Sequence, residues 1–422
     1  MNNNVLVLGS GGRECAIAWK LSKEPEVKKI FCIPGNAGTS EIAINKSLTL
    51  TDHKELLDFV NKNNIDLIIV GPENLLDDGI VDFFNSHNKK IFGPTKSASR
   101  LESSKIYARD IMKKYKIPHP KYIACSTLSD VKEAKNNLGL PLVLKADGLA
   151  AGKGVIICND ENEFNDALNI FFENQDFGTA SDKISVEECI KGPEISIFIS
   201  CNGLKYKILN NAQDHKRVFD GDKGPNTGGM GAYGPTSLYN SKLETKIKKD
   251  IIEPTLNAMV SEGTPYCGFL YFGLMLVNGE PYVIEYNARM GDPETQIVMP
   301  LMKTSLYSLI ESTIENKLDS FNYQNKPGFC VTVVLAVEGY PLKYEKGSII
   351  SGLDLLKNDL VFHAGTKIKN KDFIVSGGRV LNATGYGPDL KSAISNAYDL
   401  VKKINFKKMY FRTDIGKKGL DY

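Results

Sequence analysis

The stretch VLVLGSGGREC, residues 5–15, joins a strand-length apolar run to a glycine-rich turn at the start of a predicted helix. The GxGxxG pattern of dinucleotide-binding turns would begin at Gly9 and Gly11. Its third glycine is replaced by Glu14, whose side chain crowds the approach of helix to strand. The next predicted strand ends in PGNAG, residues 34–38, without a carboxylate for a cofactor ribose. The dinucleotide fingerprint is therefore broken.

The same turn keeps the general features of an anion site. Backbone N–H groups and the positive end of a helix dipole are expected to face the ligand side, and Arg13 lies beside them. These features suit a small phosphorylated substrate. A plain tight turn between strand and helix is the alternative for residues 9–12.

Residues 1 to about 101 alternate short β-rich runs with amphipathic helices, which predicts a parallel, Rossmann-like α/β unit. Because parallel sheets bind ligands beyond the carboxyl ends of their strands, the turns GSGGRE, PGNAGT and GPEN are predicted to line one crevice. Ordinary turn chemistry is the alternative for Asn36, Pro72 and Glu73. The candidate substrate-binding residues of the three turns are Gly11, Gly12, Arg13, Glu14, Asn36, Gly38, Thr39, Pro72 and Glu73.

Composition narrows the class of protein. A chain of 422 residues is long for one domain and predicts about two to four. The net charge of +2 comes from balanced charges without long single-sign runs, which argues against nucleic acid or an anionic membrane as a partner. Eight cysteines without a CxxC pair indicate reduced thiols. Because no apolar run reaches about 18 residues, we expect a soluble, cytoplasmic protein.

The middle of the chain divides into two predicted units. Residues 99–122 have a helical period that Pro118 and Pro120 end, which marks a boundary. A smaller unit, roughly residues 122–190, follows. Its predicted strands are PLVLKADG, GVIICN and KISVEECI, around the helix ENEFNDALNIFFEN.

Strands are predicted again from residue 191 to about 325. They flank a long loop, residues 214–235, and include a hairpin that turns at Asn278-Gly279. The remaining residues contain the short predicted strands FCVTVVLAV, VFHAGTKI and GGRVLNATGY, and the helix DLKSAISNAYDLVKKI.

A second glycine-rich stretch, LKADGLAAGKGVII, covers residues 144–157. A P-loop would need glycine at position 147 and serine or threonine at position 154, where Asp147 and Gly154 stand. Predicted strands flank the stretch, so we interpret it as a hairpin loop that folds over phosphates, with Lys145 and Lys153 as point charges. A plain glycine turn with solvated lysines is the alternative.

The stretch KISVEECIKGPEISI, residues 183–197, ends one strand and starts another. Backbone groups at Cys189 and Ile190 are placed to recognise an adenine edge, and a carboxylate such as Glu194 is placed to accept from ribose hydroxyls. A charged strand end is the alternative.

In YVIEYNARMGDPE, residues 282–294, strand alternation places Glu285 and Asn287 on one face and points Arg289 the same way. A carboxylate and an amide oxygen, completed by phosphate oxygens and water, form a Mg2+ site. Arg289 is then positioned to clamp a transferring phosphoryl group. The partner strand offers no further carboxylate, and an exposed strand edge is the alternative.

Taken in order, GGRE, PGNAGT, DLIIVGPE, IFGPT, KADGLAAGKGV, QDHKR, GPNTGGMGAY, GFLYFGLM, IEYNARMGDPETQ, VFHAGT and GGRVL closely resemble the glycinamide ribonucleotide synthetase family, ATP-grasp enzymes of purine biosynthesis. The resemblance runs from residue 5 to about 416. It implies an N-terminal substrate-binding α/β domain (1–101), an ATP-grasp domain (102–325) with a mobile lid at about 122–190, and a small C-terminal α+β domain (326–422).

The resemblance also implies a reaction. ATP phosphorylates the carboxylate of glycine, and the amine of 5-phosphoribosylamine attacks the resulting glycyl phosphate to give glycinamide ribonucleotide, ADP and phosphate. The metal is Mg2+ or Mn2+, the N-terminal turn serves phosphoribosylamine, and we expect a monomer. The residues carried over are Lys105, Lys145, Gly152, Lys153, Glu187, Glu188, Cys189, Ile190 and Glu194 for ATP; Glu285 and Asn287 for the metal; Arg289 and Lys216 for the phosphoryl group; Asp292 for the glycine ammonium; and Asp214 for substrate.

Two other functions are kept open, a different ATP-grasp enzyme such as a biotin-carboxylase-like carboxylase, and a nucleotide-binding module without catalysis. One residue departs from the family pattern, because Cys15 stands where a histidine usually follows GGRE. We interpret Cys15 as a space-filling residue. The alternative is a reactive thiol, activated by the helix N-terminus and Arg13.

Overall fold

The computed structural model describes residues 3–149, 154–173, 182–357 and 359–421. Gly152 and Lys153, which the sequence assigns to the ATP site, lie outside these ranges. Within them, no helix is long and apolar enough to cross a membrane.

The N-terminal unit is built on a five-stranded parallel sheet, as predicted. Its first strand is buried over Val5–Leu8, the pattern of a strand covered on both faces. The strands are β1 (Asn3–Gly9), β2 (Val27–Pro34), β3 (Ile44–Asn45), β4 (Leu67–Val70) and β5 (Ile91–Phe92), in the order β3-β2-β1-β4-β5. The helices are α1 (Gly12–Leu21), α2 (His53–Lys62), α3 (Glu73–Asp78), α4 (Ile80–Ser86) and α5 (Lys96–Ser103).

The predicted helical stretch 99–122 is interrupted at Ser104, which is a correction. Helix α5 ends at Ser103, and α6 (Lys105–Lys114) begins directly after Ser104. Ser104 has an extended backbone, and its hydroxyl accepts a hydrogen bond from the backbone N–H of Tyr107 at 3.1 Å. It is therefore the N-cap of a new helix.

The smaller unit has a four-stranded antiparallel sheet, one strand more than predicted. The additional strand and a helix that begins at a Thr127 cap were missed. The strands are β6 (Tyr122–Cys125), β7 (Leu142–Ala146), β8 (Val155–Cys158) and β9 (Ile184–Glu188), in the order β6-β9-β7-β8. The helices are α7 (Leu128–Leu138) and α8 (Glu161–Leu168), the latter continued by a π-helical turn (Asn169–Glu173).

A large antiparallel sheet forms the centre of the molecule and continues into the C-terminal part of the chain. Its strands are β10 (Glu194–Asn202), β11 (Lys205–Asp214), β14 (Gly231–Gly234), β15 (Cys267–Val277), β16 (Glu280–Asn287), β17 (Phe329–Val337), β18 (Val361–His363), β21 (Arg379–Gly387) and β22 (Met409–Tyr410). Their order is β16-β15-β10-β11-β14-β17-β21-β18, with β22 paired to β17. The β14–β17 pair joins the ATP-grasp segment to the C-terminal segment.

The part of the chain that the structure describes also contains two short hairpins, five further α-helices and several short 3-10 or π-helical segments. The hairpins are β12 (Arg217–Phe219) with β13 (Lys223–Asn226), and β19 (Thr366–Lys369) with β20 (Asp372–Val375). The helices are α9 (Ser241–Ile247), α10 (Glu253–Ser261), α11 (Thr295–Leu301), α12 (Leu306–Ile314) and α13 (Leu390–Val401).

Two predictions in this region need correction. The segment 214–235 is not one long loop, because it contains β12, β13 and β14. The predicted strand VFHAGTKI is two strands, β18 and β19, separated at Ala364-Gly365. The reason is a close backbone approach, since a Cβ on Gly365 would lie 2.5 Å from the Cα of Gly377.

The predicted hairpin at Asn278-Gly279 is confirmed. It joins β15 to β16, and both turn residues have positive φ, 52° and 80°. These angles are typical of the two-residue turns that match strand twist. The turn thereby sets the register of β16, the strand that ends at Asn287.

We expect Gly192→Ala to destabilise the junction between the smaller unit and the central sheet. Gly192 lies between β9 and β10, and an added Cβ would be 2.0 Å from the backbone oxygen of Leu276 in β15. Because that atom is backbone, the strand must shift, at a cost of about 1–3 kcal/mol. Thermal unfolding should show a lower midpoint than for Lys191→Ala, an exposed neighbour. Equal midpoints would contradict this packing.

Candidate active site

A cavity of about 350 Å³ lies where the parallel sheet, strand β16 and the C-terminal segment meet. Half of the residues that line it have charged side chains. The charged and amide residues that line it are Arg13, Glu73, Glu102, Lys105, Asp214, Lys216, Asn226, Glu285, Asn287, Arg289, Asp292, Glu294 and Arg379. Nine of these residues were among the sequence candidates; Glu102, Asn226, Glu294 and Arg379 were not.

Glu285 and Asn287 reach the cavity from one face of β16. Opposite Glu285 lies Gly273 of β15, where a Cβ would approach the Glu285 Cγ to 2.7 Å. The Lys216 ammonium lies 3.0 Å from Glu285 Oε1 and 3.1 Å from Glu194 Oε2. Burial raises the pKa of Glu285, but Lys216 and Lys105 outweigh it and bring the pKa to about 2. Glu285 is therefore ionised at neutral pH.

The oxygen atoms at this position fit a hard divalent cation. A carboxylate and an amide oxygen are ligands that Mg2+ accepts, with substrate oxygens and waters filling its other positions. Within the described ranges, no cluster of three or more His, Cys, Asp or Glu residues is arranged to hold a metal. The protein ligand set is therefore small, and it suits a metal that is shared with substrate.

Arg289 lies between two carboxylates from different parts of the chain. Its Nε donates to Glu73 Oε2 at 2.9 Å, and its Nη2 is 2.9 Å from Glu102 Oε1. The charge of Arg289, opposed by burial and aided by Arg13, lowers the pKa of Glu73 to about 2. Glu73, predicted to bind substrate, is thus already the partner of Arg289. Glu102 was missed, although it lies in a stretch with a helical period.

A second ion group holds Lys145 beneath the cavity. The Glu187 carboxylate accepts two bonds from Arg109, at 2.9 and 2.7 Å, and lies 2.9 Å from the Lys145 ammonium. The Ser185 hydroxyl donates to it as well, at 3.0 Å. Lys145 also donates to the backbone oxygen of Ile284 in β16, at 2.9 Å. Glu187, predicted to contact ATP, therefore uses its carboxylate to hold Lys145.

The other candidates for the ATP site lie around the edge of β9. Lys105 lines the cavity, and its ammonium donates to the backbone oxygen of Glu102 at 2.9 Å. Glu188 is exposed, Cys189 and Ile190 are half-buried, and Glu194 begins β10. The assignment of these residues to ATP remains a prediction.

Carboxylates of the protein itself occupy the N-terminus of α1. The Gly11 N–H donates to Glu14 Oε2 at 2.6 Å, and the Arg13 N–H to Asp292 Oδ2 at 3.4 Å. The Arg13 guanidinium donates to Glu14 Oε1 at 2.6 Å. A Cβ on Gly12 would lie 2.4 Å from the Gln296 side chain. The phosphate site predicted for this turn therefore remains a prediction, since its donors have protein partners.

The structure also explains how Glu14 fits where dinucleotide-binding turns have glycine. Its side chain lies against Gly9 and Gly71, and a Cβ on Gly71 would be 2.0 Å from Glu14 Oε1. The space for the carboxylate is thus made by a glycine that follows β4, more than fifty residues along the chain.

The Asn36 turn connects the first and last parts of the chain. The Asn36 amide donates to the backbone oxygens of Ser10, at 3.0 Å, and His363, at 2.7 Å, and its oxygen accepts from the N–H groups of Gly38 and Thr39. A Cβ on Gly38 would lie 2.6 Å from the His363 ring. The predicted substrate-binding residues Asn36, Gly38, Thr39 and Pro72 are not among the residues that line the cavity.

Arg379, from the C-terminal segment, reaches the cavity and was missed. Its guanidinium donates to the backbone oxygens of Asp292, at 2.6 Å, and Gly228, and lies 3.7 Å from the Asp292 carboxylate. Burial opposes the effect, but Arg379 and Arg13 lower the pKa of Asp292. The sequence contained a signal for Arg379, because this residue belongs to the GGRVL motif of the family resemblance.

The electrostatic environment of Asp214 is opposite to that of Asp292. Burial and the neighbouring Glu294 carboxylate raise its pKa well above the ordinary value, while Lys216 opposes them. Burial likewise raises the pKa of Glu294. The pKa of Asp292 is therefore shifted in the opposite direction to those of Asp214 and Glu294.

Cys15 is buried in α1 and packs in the apolar core. Burial raises the pKa of its thiol to about 12. The buried position of Cys15 among apolar side chains supports the space-filling interpretation over the reactive thiol.

Comparison with known proteins places the chain in a class. A biotin carboxylase from Campylobacter jejuni, solved as a beta-gamma-ATP complex, has a TM-score of 0.71 over 100% of this chain and 95% of its own, at 16% identity. At that identity the likeness concerns the fold alone. The sequence profile of the phosphoribosylglycinamide synthetase ATP-grasp (A) domain matches residues 103–295. The protein is thus an enzyme of the ATP-grasp class.

Profiles of the N and C domains of phosphoribosylglycinamide synthetase match residues 3–102 and 330–418. A phosphoribosylamine–glycine ligase from Pseudomonas syringae pv. tomato is 43% identical over 99% of this chain and 98% of its own. The crystal structure of the Thermotoga maritima ligase of that name has a TM-score of 0.85 and 34% identity, covering 97% of this chain and 99% of its own. The chain belongs to the phosphoribosylglycinamide synthetase family.

The same chain also matches part of a longer relative. It is 43% identical over 419 residues to a bifunctional purine biosynthetic protein of Pichia angusta, of whose length it spans 53%.

We expect Arg109→Met to destabilise the protein in a pH-dependent way. The pKa of Glu187 is lowered from 4.5 to about 2, because Arg109 and Lys145 outweigh the effect of burial. A lowered pKa stabilises the fold fully above about pH 5 and loses its effect as the pH falls toward 2. The loss in unfolding free energy should be about 3 kcal/mol near neutral pH and should shrink as the pH falls from about 4.5 toward 2. Urea unfolding at several pH values measures it, with the exposed Lys114→Met as control. A pH-independent difference would contradict the pairing.

Proposed function

We propose that the protein joins glycine to 5-phosphoribosylamine with ATP, giving glycinamide ribonucleotide, ADP and phosphate, in purine biosynthesis. Family membership and the activity of the ligases to which the chain is similar over nearly its full length support the proposal. The observation that carries it is the composition of the cavity. Its lining combines four cationic side chains with one carboxylate and one amide, namely Lys105, Lys216, Arg289, Arg379, Glu285 and Asn287. Transfer of a phosphoryl group to a carboxylate requires positive groups near the negative charge that develops, together with side-chain oxygens that can hold a metal ion.

The reaction needs no nucleophile from the protein. Glycine accepts the phosphoryl group through its carboxylate, and the amine of phosphoribosylamine displaces phosphate from glycyl phosphate. The work of the chain is to orient three substrates, which contributes up to roughly 7–11 kcal/mol in favourable systems. Arg289, held from both sides by Glu73 and Glu102, presents its guanidinium to the cavity in one orientation.

Glu285 and Asn287 would hold Mg2+ or Mn2+ beside the phosphates of ATP. Such a metal would neutralise negative charge that develops on the transferring phosphoryl group. Lys216 lies 3.0 Å from Glu285 in this structure, so the carboxylate has a cationic neighbour within the cavity. We assign the ATP contacts to Lys105, Lys145 and the edge of β9, as the resemblance implies.

Asp292 is the carboxylate best suited to the glycine ammonium. It lines the cavity, and nearby guanidinium groups lower its pKa, whereas the pKa of Asp214 is raised. A group that stays ionised pairs with an ammonium, and a protonated one does not. Asp214 then faces the same ligand as a hydrogen-bonding neighbour.

The remaining assignments belong to the same proposal. The domains are 1–101, 102–325 and 326–422, and residues of about 122–190 close over the reacting groups, since acyl phosphates hydrolyse and water must be kept out. We further propose a monomeric enzyme of the cytoplasm that binds neither nucleic acid nor membrane.

The direct test is ADP release, measured by a coupled assay with ATP, glycine and freshly prepared phosphoribosylamine. We expect release only when all three are present. Release that depends on bicarbonate in place of glycine would instead identify a carboxylase, the alternative ATP-grasp enzyme kept open from the sequence. Tight ATP binding without turnover would identify a nucleotide-binding module.

We expect Glu285→Gln to lower turnover by about 100-fold or more, because the site loses its charged metal ligand. The matched control is Glu280→Gln, which changes an exposed carboxylate at the other end of the same strand. Steady-state ADP release over a range of Mg2+ concentrations measures both variants. Near-normal turnover of Glu285→Gln at saturating Mg2+ would show that Glu285 is not a metal ligand.

We expect Asp292→Asn to raise the KM for glycine by about tenfold or more, because a charged hydrogen bond to an ammonium contributes about 1.5–3 kcal/mol. The KM for ATP serves as the internal control and should change little. If the KM for ATP rises in parallel, Asp292 acts on the architecture of the cavity and not on glycine.

A further inference from the structure

A buried arginine near the C-terminus holds the hairpin that follows Lys216. Arg412 is 1% exposed and belongs to residues 410–416, which we call the clamp segment. Its guanidinium donates to both carboxylate oxygens of Asp414 at 2.7 Å and to Asp222 in the hairpin turn at 2.8 Å. It also donates to the backbone oxygen of Arg217 at 3.0 Å. The planar guanidinium group of Arg412 therefore binds Asp414, Asp222 and the backbone of Arg217 at the same time.

Other contacts of the clamp segment reach the rest of the same hairpin. The Tyr410 hydroxyl donates to the backbone oxygen of Val218 at 2.9 Å. The Gly221 N–H donates to Asp414 at 2.8 Å, and the Thr413 N–H donates to Asp220 at 2.9 Å. The clamp segment therefore contacts the first strand and the turn of the hairpin.

The clamp segment is itself anchored on helix α13. The Tyr398 hydroxyl donates to the backbone oxygen of Arg412 at 2.8 Å and accepts from the Ile415 N–H at 3.0 Å. Residue Gly416 donates to the ring of His215, which immediately precedes Lys216, at 3.3 Å. The segment is thus fixed at one side to α13 and at the other to the chain around Lys216.

Lys216 lies at the base of the hairpin and faces the cavity. Its backbone oxygen accepts from both the N–H and the hydroxyl of Thr227, at 2.8 Å each, which closes the base. Its ammonium is the group that contacts Glu285 and Glu194. Because the residues before and after Lys216 are both held by the clamp segment, the position of the Lys216 backbone depends on that segment.

We infer that Arg412 is a positioning residue for the phosphoryl transfer proposed above, on which this inference rests, and that it acts by fixing the hairpin that carries Lys216. Arg412 is not among the residues that line the cavity. Arg412 therefore affects the rate through the position of Lys216, since a displacement of about 1 Å at a reacting group lowers a rate by up to about 100-fold.

The first experiment needs no activity. Hydrogen exchange of the amides in residues 217–226 should be at least about tenfold faster in Arg412→Met than in the wild type. Asp222→Asn is the milder variant, because Asp222 is half exposed and has a φ of 54°, which asparagine tolerates. Lys402→Met, an exposed change at the end of α13, is the control. Unchanged exchange in both Arg412→Met and Asp222→Asn would overturn the clamp, whatever reaction the protein catalyses.

The second experiment is a double-mutant cycle with Lys216→Met, read as ADP turnover. If Arg412 acts through Lys216, Arg412→Met should lower kcat by about tenfold or more in the wild type and by less than about twofold in the Lys216→Met background. Asp222→Asn should show the same pattern at smaller size. Losses that multiply in the double variants would overturn the positioning role. Absence of glycine-dependent turnover in the wild type would refute the proposed function, and the exchange measurement would still decide the clamp.

Discussion

The guanidinium of Arg289, held between Glu73 and Glu102, is the interaction on which the arrangement of the site depends. One carboxylate comes from the parallel N-terminal unit and the other from the helix that leads out of it. A largely buried charge that loses a partner is strongly destabilising, commonly by 3–5 kcal/mol. The end of β16 and the crevice of the parallel sheet are therefore held facing each other, and the cavity lies between them.

The same rule, that a buried charge must be paired, organises the rest of the interior. The buried Arg109 and Lys145 share Glu187, and the buried Arg412 pairs with Asp222 of the hairpin. The partly exposed Lys216 joins Glu194 to Glu285 in the same way. Each of these pairs joins segments that are distant in sequence. The charges that a phosphoryl-transfer site requires thus also serve as the connections between the parts of the chain.

The continuous central sheet has a similar consequence for function. Because β14 pairs with β17, the C-terminal strands extend the sheet of the ATP-grasp segment. Arg379 at the start of β21 is thereby brought to the cavity, and the clamp segment is brought to the hairpin. A site with residues from all three parts of the chain is suited to three substrates.

Local patterns in the sequence determined several features correctly. Alternation of strands and helices predicted the parallel sheet, and Asn278-Gly279 predicted the turn between β15 and β16 of the central sheet. The period of two in β16 predicted that Glu285 and Asn287 share a face. These features depend on residues within a few positions of each other, where backbone geometry alone sets the outcome. The family resemblance added the fold class.

Tertiary structure alone decided the partner of each charged side chain. Nothing near Glu187 or Glu73 in the sequence indicates that Arg109 and Arg289 hold them, since those partners are 78 and 216 residues away. Likewise, the room for Glu14 comes from Gly71, and the breaks at Ser104 and Gly365 come from a cap and a backbone contact. The physical reason is that charge pairing and close packing depend on distance in space, which sequence patterns report only between neighbours along the chain.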